Sequence, residues 1–409
     1  MGTRETTPST IAVESARNVA REVVKHGPLS RSETARRLDL SPASLTRLTK
    51  PLVETGLLIE GEDRADPQHG RVIRPIDVSA DLRFIGVKVT LDAVHGVVTT
   101  ARAVVTERLE APLEATDPAT VTEAVADVVR LLLAREPRAV AVGVALGGHS
   151  SDGRVVDVSR SLDWNGVPLG DDLARATGLP TVVENDVLAL TQAQHWFGTA
   201  RGLRDFALVT VGVGVGCSLV IADQVVRRED PDTPTVGHYV IDRSGPVCPD
   251  GHRGCAIAYL SSPAMCSAVS LGLGRPVGYD ELLQLAADGD VVASRVVRES
   301  AEALGRLISA VSTLTGIQNV QLSGEGIGLA SIAPDAVEAG IAVDRPAWAR
   351  PLTTTIQPMG FDEWARGGAV VALQAWLDRY PVAFTAAARN AESAAQSESS
   401  VPTLPGNTA

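Results

Sequence analysis

The sequence predicts an α/β protein in which a short helical head precedes a larger body built on a mostly parallel β-sheet. From residue 84 onward, apolar runs of strand length alternate with amphipathic runs of helix length, which is typical of βαβ units. Before residue 76 the pattern is instead three helices and a short hairpin. A chain of 409 residues is long enough for two or three domains with cores of their own.

The head is predicted from three amphipathic segments and the residues that start and stop them. The first helix covers Val13–His26. Ser30 begins a short second helix with capping-box spacing, and Ser41 precedes a third that has proline at its first position. Residues 57–59 then enter a strand, and residues 70–74 supply the returning strand. Residues 1–76 therefore have the order of a winged helix-turn-helix.

The third helix is the one expected to enter the major groove of DNA, with its first residues nearest the base edges. Its apolar stripe faces inward and leaves polar residues on the outer face. The predicted DNA-binding residues are Ser41, Ser44, Thr46, Arg47, Lys50 and, on the returning strand, Arg71. Pro51 is expected to kink or tighten the helix just beyond them. A three-helix protein-interaction module is the alternative.

Charge is unevenly distributed along the chain. The formal net charge is −12, yet residues 1–75 hold twelve Lys and Arg against ten Asp and Glu, about +2. A slightly basic head on an acidic body is compatible with DNA binding by the head alone. No apolar run reaches membrane-spanning length, and four clustered cysteines are too few for a disulfide framework, so a cytoplasmic protein with reduced thiols is expected.

The body is predicted from alternating strands and helices. The predicted strands are Phe84–Thr90, Val94–Thr100, Ala103–Leu113, Val140–Ala145, Thr181–Glu184 and a glycine-rich pair within Val209–Ile221. The predicted helices are Pro118–Ala134, Leu169–Thr177, Val187–Phe197, Glu281–Ala287, Val291–Thr315 and Phe361–Tyr380. The small and polar residues 384–409 are predicted to form a disordered tail.

A Gly- and Pro-rich loop carries the residues with the clearest chemical meaning. His238, Cys248 and Cys255 offer one imidazole and two thiolates, and Asp250 and His252 lie between the thiolates. Zinc prefers about four N, S or O ligands in a tetrahedron, and a closed site is usually structural. The loop therefore indicates a structural zinc site. An ordinary loop with two buried cysteines is the alternative.

Four motifs in a fixed order carry a family resemblance: Glu184-Asn185-Asp186, Gly212-Val213-Gly214-Val215-Gly216, Gly237-His238, and Cys248 with Cys255. In this order the chain resembles the ROK family (repressors, open reading frames and sugar kinases) from about Phe84 to Tyr380. The resemblance implies a two-lobed, actin-like (ribonuclease H-like) ATPase-type body that binds a sugar between its lobes. It places lobe 1 at residues 80–200, completed by the helix at 361–380, and lobe 2 with the zinc loop at 201–360.

The resemblance also implies specific ligands. Asp250 replaces the middle cysteine of the family's Cys-x-Cys-Gly-x-x-Gly-Cys, so the predicted zinc ligands are His238, Cys248, Asp250 and Cys255, with His252 as the substitute for Asp250. The predicted sugar-binding residues are Gly147, His149, Asn185, Asp186 and His238. Asn185 or Asp186 is also expected to cap the following helix. Thr235 and Ile257 stand where the family has two sugar-binding glutamates, which makes the cleft less polar.

Two phosphate loops of the family's kinases are altered here. In the first, Lys88 replaces an aspartate, and Thr90 and Leu91 replace glycines. The second keeps its glycines but has Val213 in place of a threonine. Phosphoryl transfer depends mostly on positioning and charge stabilisation, so the body is predicted not to be an enzyme.

These features together predict a sugar-responsive transcriptional regulator of carbohydrate metabolism. It is expected to be a repressor that binds operator DNA as a homodimer or homotetramer. The sugar is expected to change lobe closure and hence the spacing of two heads across a pseudo-palindromic operator. Two alternatives stay open: an active sugar kinase with an extra N-terminal domain, and a regulator whose body is vestigial and ligand-free.

Overall fold

The computed structural model describes residues 8–65, 72–230, 235–346, 348–357 and 359–382. Its helices are α1 (Pro8–His26), α2 (Arg31–Arg37), α3 (Pro42–Glu54), α4 (Pro118–Arg135), α5 (Leu169–Thr177), α6 (Asp186–Phe197), α7 (Ala256–Leu260), α8 (Ser262–Leu273), α9 (Tyr279–Ala287), α10 (Val291–Thr315), α11 (Gly328–Ile332), α12 (Pro334–Val343) and α13 (Phe361–Arg379), with a 3₁₀ turn at Val236–His238.

The strands are β1 (Leu58–Glu60), β2 (Arg64–Ala65), β3 (Val72–Ile73), β4 (Ile76–Val78), β5 (Arg83–Val89), β6 (Ala93–Thr100), β7 (Val105–Pro112), β8 (Ala139–Leu146), β9 (Val156–Ser159), β10 (Trp164–Val167), β11 (Thr181–Asn185), β12 (Phe206–Val211), β13 (Val215–Ile221), β14 (Gln224–Val225), β15 (Asn319–Ser323) and β16 (Thr353–Gln357). Every strand and helix predicted from the sequence is present, with ends that differ by a few residues. The predicted tail, 384–409, lies outside the described residues.

The chain divides into two compact units. The smaller comprises Met1–Arg83, Thr100–Val104 and Leu373–Ala409, and the larger comprises Phe84–Thr99 and Val105–Ala372. Helix α13 contributes residues to both units. The limits predicted for the lobes within the larger unit stay predictions. Among the helices that the structure describes, none combines the length and the apolar character needed to cross a membrane.

The smaller unit is built on α1, α2 and α3, which bury Val19, Val23, Leu45 and Leu52 almost completely. Serine hydroxyls cap α2 and α3, as predicted. Helix α3 continues past Pro51 to Glu54. Antiparallel pairing joins β1 to β4 and β2 to β3, and the first of these pairs was not predicted from the sequence.

The described part of the larger unit contains two five-stranded sheets, ordered β11-β8-β5-β6-β7 and β14-β13-β12-β15-β16. Each sheet combines parallel pairs, such as β8 with β11 and β12 with β15, with an antiparallel edge. The predicted α/β class is therefore confirmed.

Close packing of helices fixes each sheet. A β-carbon at Gly86 would lie 1.9 Å from the carbonyl oxygen of Ala365, and one at Gly143 would lie 1.9 Å from that of Gly368. Both positions must therefore be glycine for α13 to pack directly on β5 and β8. On the second sheet α10 buries Leu304 and many further apolar side chains. Each such burial is worth about 1.5–3 kcal/mol.

Candidate functional site

A buried ion pair lies where β5 and α6 meet. The Lys88 ammonium contacts Oδ2 of Asp186, and the two side chains are only 9% and 15% exposed. Lys88 Nζ also lies 5.4 Å from the centre of the Trp364 ring. The second carboxylate oxygen, Oδ1, accepts a hydrogen bond from the amide of Val187 at 2.9 Å. Each oxygen of Asp186 therefore already accepts one hydrogen bond from the chain itself.

Asn185 is the N-cap of α6, so the prediction that one of the Asn-Asp pair caps this helix is confirmed. Its Oδ1 accepts hydrogen bonds from the amides of Val187 and Leu188 at 3.1 and 3.2 Å. Its Nδ2 donates to the carbonyl of Gly148 at 2.7 Å. Both lone pairs of Oδ1 are thus used, whereas Nδ2 keeps its second hydrogen for a ligand.

The turn between β5 and β6, where the resemblance places the first phosphate loop, is closed by its own side chains. The Thr90 hydroxyl donates to Asp92 Oδ1 at 2.8 Å and accepts from the amide of Ala93 at 3.0 Å. Leu91 is exposed at the tip. An anion at this turn would face the Asp92 carboxylate, so the turn is unsuited to phosphate.

A cavity of about 600 Å³ is lined by residues from elements of both sheets. It is lined by His149, Ser150, Ser151, Glu184, Asn185, Leu188, Cys217, Ser218, Leu219, Val226, Arg227, Arg228, Glu229, Val236, Val311, Leu314 and Thr315. Of the five predicted sugar-binding residues, the structure brings His149 and Asn185 together here. The described lining does not include Gly147, Asp186 or His238.

His149 and Arg227 connect the two sides of this cavity. The two ring nitrogens of His149 lie 3.0 Å from Asp157 Oδ2 and 3.1 Å from the carbonyl oxygen of Arg228. Arg227 forms an ion pair at 2.5 Å with Glu184, whose side chain is 5% exposed. The segment after β14 is thus linked to β11 and to the loop that follows β8.

The wall formed by β13 combines apolar surface with one unpaired hydroxyl. Burial raises the pKa of the Cys217 thiol to about 12, so this thiol is neutral. The neighbouring Ser218 is 4% exposed, and its Oγ has no hydrogen-bond partner among the described residues. Sequence reasoning missed both Ser218 and Arg227 as pocket residues, because no local pattern marks them.

The predicted metal loop brings four ligand atoms together. Nitrogen or sulfur atoms of His238, Cys248, His252 and Cys255 all lie within 4.8 Å of one another. The two thiols are buried, and Cys248 Sγ lies 3.3 Å from His252 Nδ1. Burial, together with the adjacent Cys248 thiol, raises the pKa of Cys255.

Asp250 takes a different place from the one predicted. Its Oδ2 lies 3.0 Å from Nε2 of His238, outside the group of four. The cause is a tight turn: the amide of Cys248 donates to the carbonyl of His252 at 2.8 Å, and Gly251 has a φ of +85°. This turn brings His252 beside Cys248. Nδ1 of His238 is buried without a hydrogen-bond partner among the described residues, which leaves it available for a metal.

Five of the six residues predicted to bind DNA lie on α3 or at its N-cap. The Ser41 hydroxyl caps the helix through the amide of Ser44 at 3.1 Å. Thr46 and Lys50 are exposed, whereas Arg47 is partly buried and has an interaction partner. The sixth predicted residue, Arg71, lies outside the described residues.

The larger unit is an actin-like α/β body with two sheets and a cavity lined from both of them. The model of the ROK family matches residues 84–348, so the chain belongs to the ROK family.

Three known proteins illustrate the relationship. The DNA-binding transcriptional repressor Mlc of Escherichia coli K12 is 24% identical over 319 residues, which cover 74% of this chain and 78% of that protein. A crystal structure of a ROK family transcriptional regulator, a homologue of the E. coli protein, superposes with a TM-score of 0.76 at 22% identity over 90% of this chain and 97% of that one. A ROK glucokinase from Streptomyces griseus, crystallised with glucose and AMPPNP, gives a TM-score of 0.61 at 22% identity over 71% of this chain and 99% of that one. At these identities the structures establish a shared fold.

Proposed function

We propose that this chain is a sugar-responsive transcriptional regulator of carbohydrate metabolism, a repressor whose ROK body is not catalytic. The observation that carries the proposal is the buried pair of Lys88 and Asp186. It separates a regulator from a kinase within a family that contains both. The similarity to Mlc, which is a DNA-binding transcriptional repressor, supports the same choice.

The smaller unit supports DNA binding. Helices α2 and α3, followed by the β2–β3 hairpin, have the order of a winged helix-turn-helix, in which α3 is the recognition helix. Thr46 and Lys50 are exposed on α3, and the ammonium of Lys50 lies 3.8 Å from a carboxylate oxygen of Glu54, which is a long contact. A homodimer or homotetramer would present two such helices to a pseudo-palindromic operator.

Phosphorylation of a sugar requires that the attacking hydroxyl lose its proton, and Asp186 is poorly placed to accept it. A general base has to lie within hydrogen-bond reach of that hydroxyl with a free acceptor atom. In this chain each oxygen of Asp186 already accepts a hydrogen bond, from Lys88 or from the amide of Val187, so a sugar hydroxyl would have to compete with these donors. The ion pair with Lys88 also holds the carboxylate on the protein side, away from a sugar hydroxyl.

The cavity supports a sugar effector. Its volume of about 600 Å³ lies in the range of ligand pockets, which combine apolar walls with a few polar groups. The remaining amide hydrogen of Asn185, the hydroxyl of Ser218 and the polar residues beside His149 are suited to sugar hydroxyls. Gly147, Asp186 and His238 are proposed to contact the sugar only when the contacts across the cavity rearrange.

The metal loop supports a structural zinc. Two buried thiols, His252 and the unpaired Nδ1 of His238 fit the tetrahedral set of two nitrogens and two sulfurs that zinc prefers. We therefore propose His252 as the fourth ligand in place of Asp250. Asp250 would hold the His238 ring from its other nitrogen, as carboxylates commonly do for zinc-binding histidines. The bound metal would hold the loop in one conformation.

Selection of genomic DNA fragments by the full-length protein tests the proposal. Wild type should enrich a small set of fragments and release them when a panel of hexoses, pentoses and their phosphates is added. Arg47→Ala should weaken binding by about 1–3 kcal/mol if Arg47 reads a base. Arg295→Ala, which removes an exposed arginine from α10, is the matched control and should have no effect.

The outcomes separate the alternatives. Equal enrichment by wild type and by an Arg47→Ala, Lys50→Ala double variant would show that α3 does not read the DNA. Specific binding that no sugar releases would favour a vestigial body. Phosphorylation of any sugar that depends on Asp186 would favour the kinase.

A further inference from the structure

The glycine loop between β12 and β13 is occupied by a side chain that lies 112 residues further along the chain. The amide of Val213 donates a hydrogen bond to Oε1 of Glu325 at 2.9 Å. A β-carbon at Gly212 would lie 1.8 Å from that Oε1 and 2.6 Å from Oε2. The carboxylate therefore fills the space that the missing side chain of Gly212 leaves open.

The backbone around Glu325 is held firmly against this loop. The amide of Gly326 donates to the carbonyl of Val211 at 2.8 Å. Gly324 has a φ of +101°, and a β-carbon there would lie 2.3 Å from the same carbonyl oxygen, so no other residue fits without strain. These contacts deliver the Glu325 side chain to the glycine loop.

A tyrosine fixes the other side of the Glu325 segment. The hydroxyl of Tyr279 donates to the carbonyl of Gly326 and accepts from the amide of Leu329 at 3.3 Å. Burial raises the pKa of Tyr279 to about 12, so the hydroxyl keeps its proton and this contact persists at neutral pH. The fold thus fixes the backbone that carries Glu325, whose exposed side chain reaches the glycine loop through the Val213 amide.

Amide groups of a glycine-rich loop form a site for anions, and in nucleotide-binding proteins the anion is a phosphate. Here the same kind of amide binds a carboxylate of the chain itself. The charge makes the exclusion stronger than simple filling of space, since a phosphate beside Glu325 would be repelled. The loop keeps its glycines, and the missing side chain of Gly212 leaves the space in which the Glu325 carboxylate lies.

We infer that Glu325 is the residue that excludes nucleotide: its carboxylate occupies the anion position of the Gly212–Gly216 loop and keeps triphosphates out of the cleft. The inference rests on the non-catalytic part of the proposed function, and the DNA-binding part does not depend on it. Removal of Glu325 should open a latent site for triphosphate. It should not restore catalysis, because Lys88 still pairs with Asp186.

Titration calorimetry of the full-length protein with tripolyphosphate and with magnesium ATP tests this inference. Glu325→Ala should bind tripolyphosphate roughly tenfold more tightly than wild type, because it loses a like charge next to the ligand. Glu325→Gln keeps an acceptor for the Val213 amide without the charge, and should gain less. Glu338→Ala removes an exposed glutamate from α12 and should behave as wild type.

The inference is wrong if Glu325→Ala binds tripolyphosphate no more tightly than wild type. If Glu325→Ala does not fold, Glu325→Gln decides the question, since any gain over wild type must come from the charge. Operator binding by the same proteins provides an independent reading. If wild type does not bind an operator, the proposed function is contradicted, but the comparison of tripolyphosphate binding among the Glu325 variants still stands.

Discussion

Two regions of the larger unit use polar groups in opposite ways. On the side where ROK kinases have their phosphate loops, Lys88 pairs with Asp186 and Glu325 accepts from Val213. In the cavity and the metal loop, Ser218 Oγ and His238 Nδ1 are buried and unpaired among the described residues. An unpaired buried group costs about 1–3 kcal/mol. The charged side chains of the first region are thus paired within the chain, so we call it the closed region, whereas these two atoms of the second could bind partners from outside.

The largest effect is expected in the metal loop. Cys248→Ser should lose the zinc and a large part of the stability of the loop, because structural zinc contributes on the order of 10 kcal/mol to ordering its ligands. Metal analysis and thermal unfolding measure the two effects. Cys266→Ser, in α8 and outside the group of four, should keep both at wild-type level. Wild type purified without chelators but containing well under one zinc per chain would mean that packing alone holds the loop.

Removal of Lys88 from its ion pair should lower the stability of the protein by less than loss of the zinc, but by a measurable amount. Lys88→Ala leaves the Asp186 carboxylate buried without its counter-ion, which should lower the free energy of unfolding by about 3 kcal/mol. A Lys88→Met, Asp186→Leu double variant should recover most of the loss, because an apolar pair can replace a buried ion pair. Urea denaturation measures all three proteins. A single variant as stable as wild type would show that the pair does not close this region.

Variants of Asp250 and His252 test which of these two residues is the fourth metal ligand. Asp250→Asn should weaken zinc binding by roughly 10–100-fold, the usual effect of losing a group that orients a ligand. His252→Ala should abolish stoichiometric binding, because it removes one of four ligands. Competition with a chromogenic chelator measures the affinities. The reverse order of effects would restore Asp250 as the fourth ligand.

The smallest effect concerns the unpaired hydroxyl. Ser218→Ala should stabilise the sugar-free protein by up to about 1 kcal/mol, because it removes a buried polar atom that has no partner. It should also weaken the response to any effector that binds this hydroxyl. Ser300→Ala is the matched control: its buried hydroxyl donates to the carbonyl of Tyr259 at 2.7 Å, so its loss should destabilise the protein. Equal losses in the two variants would argue against an unpaired Ser218.

The sequence predicted best what depends on neighbours along the chain. Val291–Thr315 was predicted as a helix with its observed ends. The structure shows that its ends depend on local residues, since Asp290 caps its start and Gly316 follows its last turn in a left-handed conformation. The strand Thr353–Gln357 was not predicted, since its threonines are exposed at a sheet edge and show no apolar pattern.

Site residues were likewise predicted from local spacing, whereas contacts between distant parts of the chain were not. Spacing predicted His238, Cys248 and Cys255, and the family resemblance added Asp250, with His252 as the substitute. The choice between Asp250 and His252 depends on a turn that residue types alone do not specify. The contact of Val213 with Glu325 spans 112 residues, so only the parallel pairing of β12 with β15 brings the two together. Contacts of this kind decide whether the glycine loop binds phosphate.

An ATP-coupled assay on the full-length, zinc-loaded protein tests the central claim most directly. Magnesium ATP and a panel of hexoses, pentoses and amino sugars would be added, and ADP release compared between wild type and Asp186→Ala. The account predicts equal background rates for both proteins on every sugar, because Lys88 occupies Asp186 and Glu325 occupies the glycine loop. Turnover on any sugar that disappears in Asp186→Ala would contradict it.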